Sequence, residues 1–402
     1  MRILHIAPFL WPMGEKTGMP SVYLGLRGQL DAGHEVTLIA PGNQSAYDYE
    51  NIRIYEISCN FNVTTSNRLV AALIQKYGIY KFLFLSTIKA FQVTRKNQPD
   101  LVYGHSFYGA YAAFFISWYF NVPYIYRGYG TFLRDYIRKP VTLLKRIESV
   151  IGFLLPADHR ILTNDGTGYD EVAQFFKIPS DRYSFWMNGV DFNLYDPSIS
   201  RDKFLADIGL DNSNTIVLAM SRLDGWKGVD RFIKAFPKIV KRCPHARGLI
   251  VGDGHLRSDL EKLCDDLGMK SYIKFCGSVP RSQIGYYLNT ADVFVTLYDL
   301  SNIGNPLLEA MICGRAVVAL ATGATDQVIQ DGVNGRLVNP NQMENLPGIV
   351  AEIIENASCR ARLGKGAREY AMANFNTWDE RVHMEVKKVE DIVYKRIGGS
   401  DK

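Results

Sequence analysis

Residues 188–204, NGVDFNLYDPSISRDKF, interrupt a regular pattern, and the way the pattern resumes decides the fold. Before them, near-continuous apolar runs alternate with helical stretches: RILHIAPF, HEVTLIAP, IRIYEIS, LVYGHS, PYIYRGYG, HRILTN and YSFWMNG, ending at Gly189. After them, polar and turn residues run to Asn214, and the alternation restarts with TIVLAMSRL, RGLIVGDG, IKFCGSV, VFVTLYD, AVVALAT and GRLVNP. Strands apolar along their whole length belong to parallel sheets covered on both faces, with a helix in each crossover. The sequence therefore predicts two doubly wound α/β domains, residues 1–195 and 196–375, and a terminal segment, 376–402, whose helix returns to the first domain. The first crossover helix is legible in detail. Pro20 suits a first turn, Val22, Tyr23, Leu26 and Leu30 recur at helical spacing, and Gly33 stands where a left-handed cap ends it.

Composition narrows the classes of function. A chain of 402 residues, 47% of them apolar, exceeds one ordinary core. A net charge of +5, from 46 basic and 41 acidic residues, suits anionic small molecules or an anionic membrane surface and is too small for a nucleic-acid binder. The cysteines, at 59, 243, 264, 276, 313 and 359, form no CxxC pair and no metal-ligand spacing, so no metal site is expected and a reducing, cytoplasmic setting fits. The start, MRILHIAPFLWPMG, alternates like a strand and lacks a small-residue cleavage site, so it is not read as a secretory leader. YKFLFLSTIKAF from Tyr80 and YGAYAAFFISWYF from Tyr108 are shorter than the roughly 18 uncharged residues a membrane span needs, and both read as buried helices.

Several groups at strand ends could carry chemistry. In DLSNIGNPLLEA, from Asp299, Asn305 can cap a helix whose first position is Pro306, while Gly304 lets a ligand approach the backbone. The N–H groups of Gly304, Asn305 and Leu307, with Pro306 fixing the turn between them, would then face an anion, and Glu309, one turn in, can accept hydrogen bonds from a hydroxyl pair. The plain alternative is an ordinary capped helix whose Glu complements its dipole. SRLDGWKG places Arg222 and Lys227 beyond a strand's carboxyl end, as a clamp for a diphosphate or as a solvated loop. Gly252 and Gly254 of GDG form a turn that can touch a nucleotide base. In the first half, Gly18 of TGMPS precedes a helix, and His105, Arg127, Tyr129 and Thr131 converge on one sheet edge, with Asp165 a weaker member of that group.

Taken in order, the Gly18 loop, LDAGHEVTLIAP, DLVYGHS, PYIYRGYGT, NGVD, SRLDGWKGVDRFIKAF, LIVGDGHLRSDLE, ADVFVTL, NPLLEAMICGRAVVA and DGVNGRLV resemble the retaining, nucleotide-sugar-dependent glycosyltransferases of family 4, from Met1 to about Arg381. The resemblance implies a GT-B fold, a donor such as a UDP- or GDP-sugar in the second domain, and a glycan, lipid-linked or small-molecule acceptor in the first. It further implies no cofactor and no metal, and a role in glycan, polysaccharide or glycolipid synthesis. Arg222 and Lys227 fall on diphosphate-binding positions, Glu309 on the ribose-binding glutamate, and Gly18 on a loop meeting the phosphates. Transfer would retain the anomeric configuration through same-face attack.

Three positions depart from the family's pattern. Ser301 replaces the first Glu of a glutamate pair, Tyr129 stands where a His is frequent, and Gln327 replaces a common Glu. Both Ser301 and Tyr129 would face the reacting sugar, so donor choice is where these changes bear. Ser301 and Asn302 can still bind hydroxyls as neutral groups, and Asp299 is near enough in sequence to supply a carboxylate or merely to cap the strand end. Alternatives are a catalytically silent sugar-nucleotide or glycan-binding protein, or a GT-B epimerase or phosphorylase. FLRDYIRKPVTLLKRIESVIGFLLP, from Phe132, mixes five basic residues with apolar ones, which fits peripheral attachment to the inner face of a cell membrane or a solvated helix equally.

Overall fold

The computed structural model describes residues 1–8, 20–42, 51–59 and 68–398, so Gly18 lies outside the described residues. The chain divides into two compact units. The first comprises Met1–Asn164, Gly168–Trp186 and Asp379–Lys402; the second comprises Asp165–Thr167 and Met187–Trp378.

The first unit contains β1 (Arg2–Ile6), α1 (Pro20–Asp31), β2 (Glu35–Pro41), β3 (Ile52–Ile57), α2 (Arg68–Lys96), β4 (Leu101–His105), α3 (Ser106–Phe120), β5 (Tyr124–Gly128), α4 (Leu133–Ile137), α5 (Ile147–Leu154), β6 (His159–Thr163), α6 (Tyr169–Phe175) and β7 (Tyr183–Trp186). Its seven strands are ordered β3-β2-β1-β4-β5-β6-β7, and every pairing is parallel. Helix α1 ends as its sequence predicts. Gly33 has φ 78°, its N–H donates to Leu30 O at 2.8 Å, and the His34 N–H donates to Gln29 O at 3.0 Å, the paired bonds of a left-handed cap.

The second unit contains α7 (Arg201–Asp207), β8 (Thr215–Met220), α8 (Val229–Arg242), β9 (Ala246–Val251), α9 (Arg257–Asp266), β10 (Ile273–Gly277), α10 (Arg281–Thr290), β11 (Val293–Thr296), α11 (Asn305–Ile312), β12 (Ala316–Leu320), β13 (Arg336–Val338), α12 (Leu346–Glu355) and α13 (Ala357–Asn374), before α14 (Trp378–Gly398) closes the chain. Its six strands are ordered β10-β9-β8-β11-β12-β13, again all parallel. Both sheets are thus doubly wound with a reversal of strand order, between β1 and β4 in one and between β8 and β11 in the other. Ligands of such sheets bind beyond the strand carboxyl ends at that reversal.

Each sheet is buried on both faces, which is why its strands lack polar alternation. In the second unit Val217, Phe232, Phe236 and Val295 fill one side and Leu218, Phe294, Leu308 and Met311 the other. In the first unit, α14 lays Val389 and Val393 on Ile3, Tyr103, Ile125 and Ile161.

One sequence expectation needs correction. YKFLFLSTIKAF belongs to α2, which buries Phe82, Ser86, Ala90 and Thr94 at four-residue spacing but leaves Tyr80, Phe84 and Ile88 exposed. An apolar stripe against α3 explains the first set, and nothing in the described residues covers the second. The other stretch is α3, buried through Ala110, Ala113 and Ile116 while Trp118 and Tyr119 near its end are exposed.

Candidate active site

Past the carboxyl end of β8, the loop Ser221–Gly228 is shaped by glycines on its neighbours. Gly252 has φ 129°, and a Cβ there would collide with Ser221 O; one at Gly254 would lie 2.6 Å from Leu223 O. These two glycines therefore let the turn after β9 press against the Arg222 loop, fixed by Leu223 N–H donating to Asp253 O at 2.9 Å. The Arg222 side chain is exposed and pairs with Asp224, which also meets His255 at 3.1 Å. Lys227 is different. Its ammonium lies 4.0 Å from the Trp226 ring centroid and 3.7 Å from that of Tyr298. Burial, reinforced by Arg222, pulls its pKa down to about 7 against the opposing pull of Asp165 and Asp224.

Beyond β11, the next loop leads into α11. The helix is capped by Gly304, with no side-chain cap, and begins at Asn305 with Pro306 second, one residue earlier than the sequence suggested. The Asn305 side chain instead accepts from Asn188 Nδ2 at 2.9 Å. The Leu307 side chain is in the core, and its N–H donates to Gly304 O at 3.0 Å. Glu309 is 3% exposed and meets Arg281 at 3.4 Å. Burial pushes its carboxyl up to about 7, with Arg281 acting in the opposite direction.

Ser301 sits in this loop with φ 54°, a left-handed backbone that a non-glycine residue adopts at a cost. Its hydroxyl donates to Asp165 Oδ2 at 2.8 Å. The other carboxylate oxygen of Asp165 accepts from the Thr167 N–H at 3.1 Å and the Thr167 hydroxyl at 2.6 Å. Asp165 is buried, and burial raises its pKa while these donors hold it down. The segment Asp165–Thr167 is anchored by Ile303 N–H donating to Asp165 O at 3.0 Å. Asn302 is committed to Thr322, through its backbone oxygen and, at 3.0 Å, its hydroxyl. Asp299 is taken up by Arg231 in a two-pronged pair at 2.7 and 2.8 Å, so the carboxylate beside Ser301 is Asp165 and not Asp299.

In the first unit a buried polar chain runs across the reversal of strand order. Gln29 Oε1 meets His5 Nε2 at 2.7 Å, His5 Nδ1 meets His105 Nε2 at 2.9 Å, and His105 Nδ1 meets the Tyr129 hydroxyl at 2.6 Å. With the Gln29 oxygen accepting, each ring nitrogen has one consistent role, and the Tyr129 O–H donates to His105. Arg127 stacks 4.3 Å from the Tyr129 ring centroid, donates to Gly128 O and Thr163 Oγ1, and pairs with Glu385 of α14 at 3.3 Å. Thr131 accepts from the Leu133 N–H at 3.0 Å, at the start of α4.

Residues 200–370 match the family described as glycosyl transferases group 1, and residues 21–194 match glycosyltransferase family 4. The chain is a GT-B glycosyltransferase family 4-like protein. A GDP-mannose-dependent phosphatidylinositol monomannoside mannosyltransferase of Mycolicibacterium smegmatis is 28% identical over 57% of this chain and 64% of its own. Among solved structures, Anabaena HepE in complex with UDP-glucose superposes with a TM-score of 0.72 at 19% identity over 97% of this chain and 99% of that one. Sucrose-phosphate synthase of Thermosynechococcus elongatus does so with 0.76 at 20% identity over 98% and 99%. The chain spans 53% to 64% of the length of the curated relatives it matches first.

The GT-B frame sorts the sequence candidates into two groups. Arg222, Lys227, Ser301 and Glu309 stand on loops or helix turns after β8 and β11 of one unit, and Asp165 joins them there through Ser301, away from the acceptor-side group in which the sequence placed it. His105, Arg127, Tyr129 and Thr131 form the other group, of which Arg127 and Thr131 are occupied with scaffold bonds. The sequence reading missed Arg281, Tyr298 and Trp226. Trp226 and Tyr298 lay inside quoted motifs, but nothing in the order of residues says that their rings enclose an ammonium. Among the described residues no group of three or more His, Cys, Asp or Glu could hold a metal ion.

Proposed function

We propose that this chain transfers a sugar from a nucleoside-diphosphate donor to a hydroxyl of a glycan or lipid acceptor, with retention of anomeric configuration and without a metal ion. The observation that carries the reading is the convergence, at the reversal of strand order in the second sheet, of two cations and a buried carboxyl on the loops around α11. Arg222 and Lys227 meet the two phosphates, the α11 N-terminus adds its dipole, and Glu309 accepts hydrogen bonds from the ribose hydroxyls. UDP- and GDP-sugars are the donor class that HepE and the mannosyltransferase suggest by their names.

In the transfer, the bond from the anomeric carbon to the phosphate oxygen breaks as the acceptor oxygen bonds to the same face. The acceptor proton passes to the departing phosphate oxygen. The negative charge gathered on the diphosphate is met by Arg222, Lys227 and backbone amides already in place, so little reorganisation accompanies the step. Ser301 donates its hydroxyl hydrogen bond to Asp165 and therefore offers the donor sugar only lone pairs. It accepts from a sugar hydroxyl, with the carboxylate one hydrogen bond behind it.

Two measurements test this reading together. Incubation with UDP- and GDP-sugars and an acceptor is expected to yield a product whose anomeric proton shows the donor's configuration, and the opposite anomer would refute retention. Ser301→Ala is expected to lower kcat about ten-fold, the loss of one sugar hydrogen bond, with nucleoside-diphosphate affinity within about two-fold. An unchanged rate and sugar preference would reduce Ser301 to a loop spacer.

A further inference from the structure

The exposed side of α2 and the segment that follows Phe132 carry two properties that the sugar chemistry does not use. Along α2 the exposed large residues fall at 70, 73, 74, 77, 80, 84 and 88, positions that form one stripe on the helix face opposite Phe82, Ser86 and Ala90. Leu73, Tyr77 and Phe84 are each about two-thirds exposed, at 70%, 68% and 66%. In the segment after Phe132, Val141 and Leu144 are 85% and 73% exposed. The two segments are neighbours. Glu148, at the start of α5, meets Lys76 of α2 at 3.6 Å and accepts from the Tyr80 hydroxyl at 3.1 Å. Of the 22 large apolar residues that are exposed among the described ones, 15 lie on α2, the end of α3, or residues 132–154, so this is one patch and not scatter.

The charge on the same segments is lopsided. Residues 68–96 contain six basic and no acidic residues, and residues 132–154 contain five basic and two acidic. Those 52 residues carry +9 while the whole chain carries +5, so the rest of the chain is net negative. Glu148 and Glu171 offset part of this through Lys76, Arg134 and Arg138, but Lys81, Lys89, Lys139 and Lys145 make no ion pair among the described residues.

We propose that this face of the first unit binds the surface of an anionic lipid bilayer, with the apolar side chains of α2 and of residues 132–154 entering the headgroup boundary and the lysines and arginines meeting lipid phosphates. Three features select a bilayer. A second copy of the chain would set +9 against +9. Nucleic acid would match the charge but not the bare aliphatic side chains of Leu73, Val141 and Leu144. An amphipathic, basic surface is what an anionic interface attracts, through apolar burial and charge acting together. The face lies on the bilayer and does not cross it, since among the described residues no helix is long and apolar enough to span a membrane. The inference rests on the first unit alone and is independent of the nucleotide seat.

The test is sedimentation of the full chain with vesicles of phosphatidylcholine, with and without about a third phosphatidylglycerol, at low and high salt. Expected is co-sedimentation with the anionic vesicles only, weakened by salt. The double change Lys139→Glu and Lys145→Glu should weaken it by at least ten-fold, at roughly one salt-sensitive contact per lysine. Phe84→Ser with Leu144→Ser should weaken it at low salt as well, which a purely ionic attraction would not show. These positions are exposed, so both variants should keep the parent's melting temperature and nucleotide binding. No binding to anionic vesicles, equal binding to neutral ones, or a dimer in solution that Phe84→Ser disperses would overturn the proposal.

Discussion

Lys227→Met lowers kcat by about 10²- to 10³-fold while leaving the unliganded protein as stable as the parent or more so. The first half of this expectation follows from the charge that builds on a departing diphosphate. A preplaced cation in a site with little water is worth several kcal/mol to that charge, and removing one such group typically costs two to three orders of magnitude in rate. The second half follows from where the ammonium sits. Between the rings of Trp226 and Tyr298 it is desolvated enough that its pKa falls to about 7, so without a ligand the folded protein gains little from the charge. Methionine keeps the straight apolar stem between the two rings and deletes only the ammonium. A loss of melting temperature with activity preserved would reverse both halves, and steady-state kinetics beside a thermal melt of the unliganded variant reads them together. The combination separates a catalytic cation from a structural one, because a structural lysine would show the opposite pattern.

Acidification from pH 7.5 to pH 5 weakens the first unit by about 4 kcal/mol and leaves the second comparatively unaffected. His5 and His159 are buried in the first unit and held near pKa 4, chiefly by burial, against an ordinary 6.5. Burial also holds His105 well below the usual range. A histidine whose folded pKa is lowered contributes stability that is complete above 6.5 and is lost as pH falls toward 4, because the unfolded chain takes up a proton that the folded one refuses. At pH 5 that is about 2 kcal/mol for each of His5 and His159, with His105 acting in the same direction. Glu309 has the opposite sign. Its carboxyl is raised to about 7 in the folded second unit, so acid relieves it. Differential scanning calorimetry should therefore show the transition of the first unit moving to lower temperature between pH 7 and pH 5 while the other holds or rises. His5→Gln should flatten that dependence, since a neutral amide can still bond within the chain from Gln29 to Tyr129. A slope unchanged by His5→Gln would mean that His5 is protonated in the folded state.

Particular residues show how far the sequence could be read. Most strands among the described residues were legible because they are apolar along nearly their whole length, as a sheet covered on both faces requires, while β3 carries Arg53 and Glu56. The placement of Arg222 and Lys227 was legible because they lie soon after the end of β8, where the doubly wound order sends ligands, and that of Glu309 because Gly304, Asn305 and Pro306 mark the start of a helix after β11. What escaped depends on contacts remote in the chain. Asp165 and Ser301 are 136 positions apart, and neither the turn at Asp165 nor the loop at Ser301 announces the other. Asp299 looked available because its partner Arg231 stands 68 positions earlier, on α8. The exposed stripe of α2 escaped for a different reason. A helix apolar on two faces has the composition of a buried one, and only the packing shows that α3 covers one face.

The nucleotide seat itself is tested most directly by calorimetric titration of UDP and GDP into the protein at pH 6, 7 and 8. At least one should bind, most tightly near pH 7. Below that value Glu309 protonates and ceases to accept from the ribose, and above it Lys227 loses the charge that meets the diphosphate, both groups titrating near 7. Glu309→Ala should weaken that binding by on the order of ten-fold or more and remove its decline at pH 6. Absence of binding by either nucleotide, or binding that Glu309→Ala leaves unchanged in strength and pH dependence, would contradict the assignment of α11 as the donor seat.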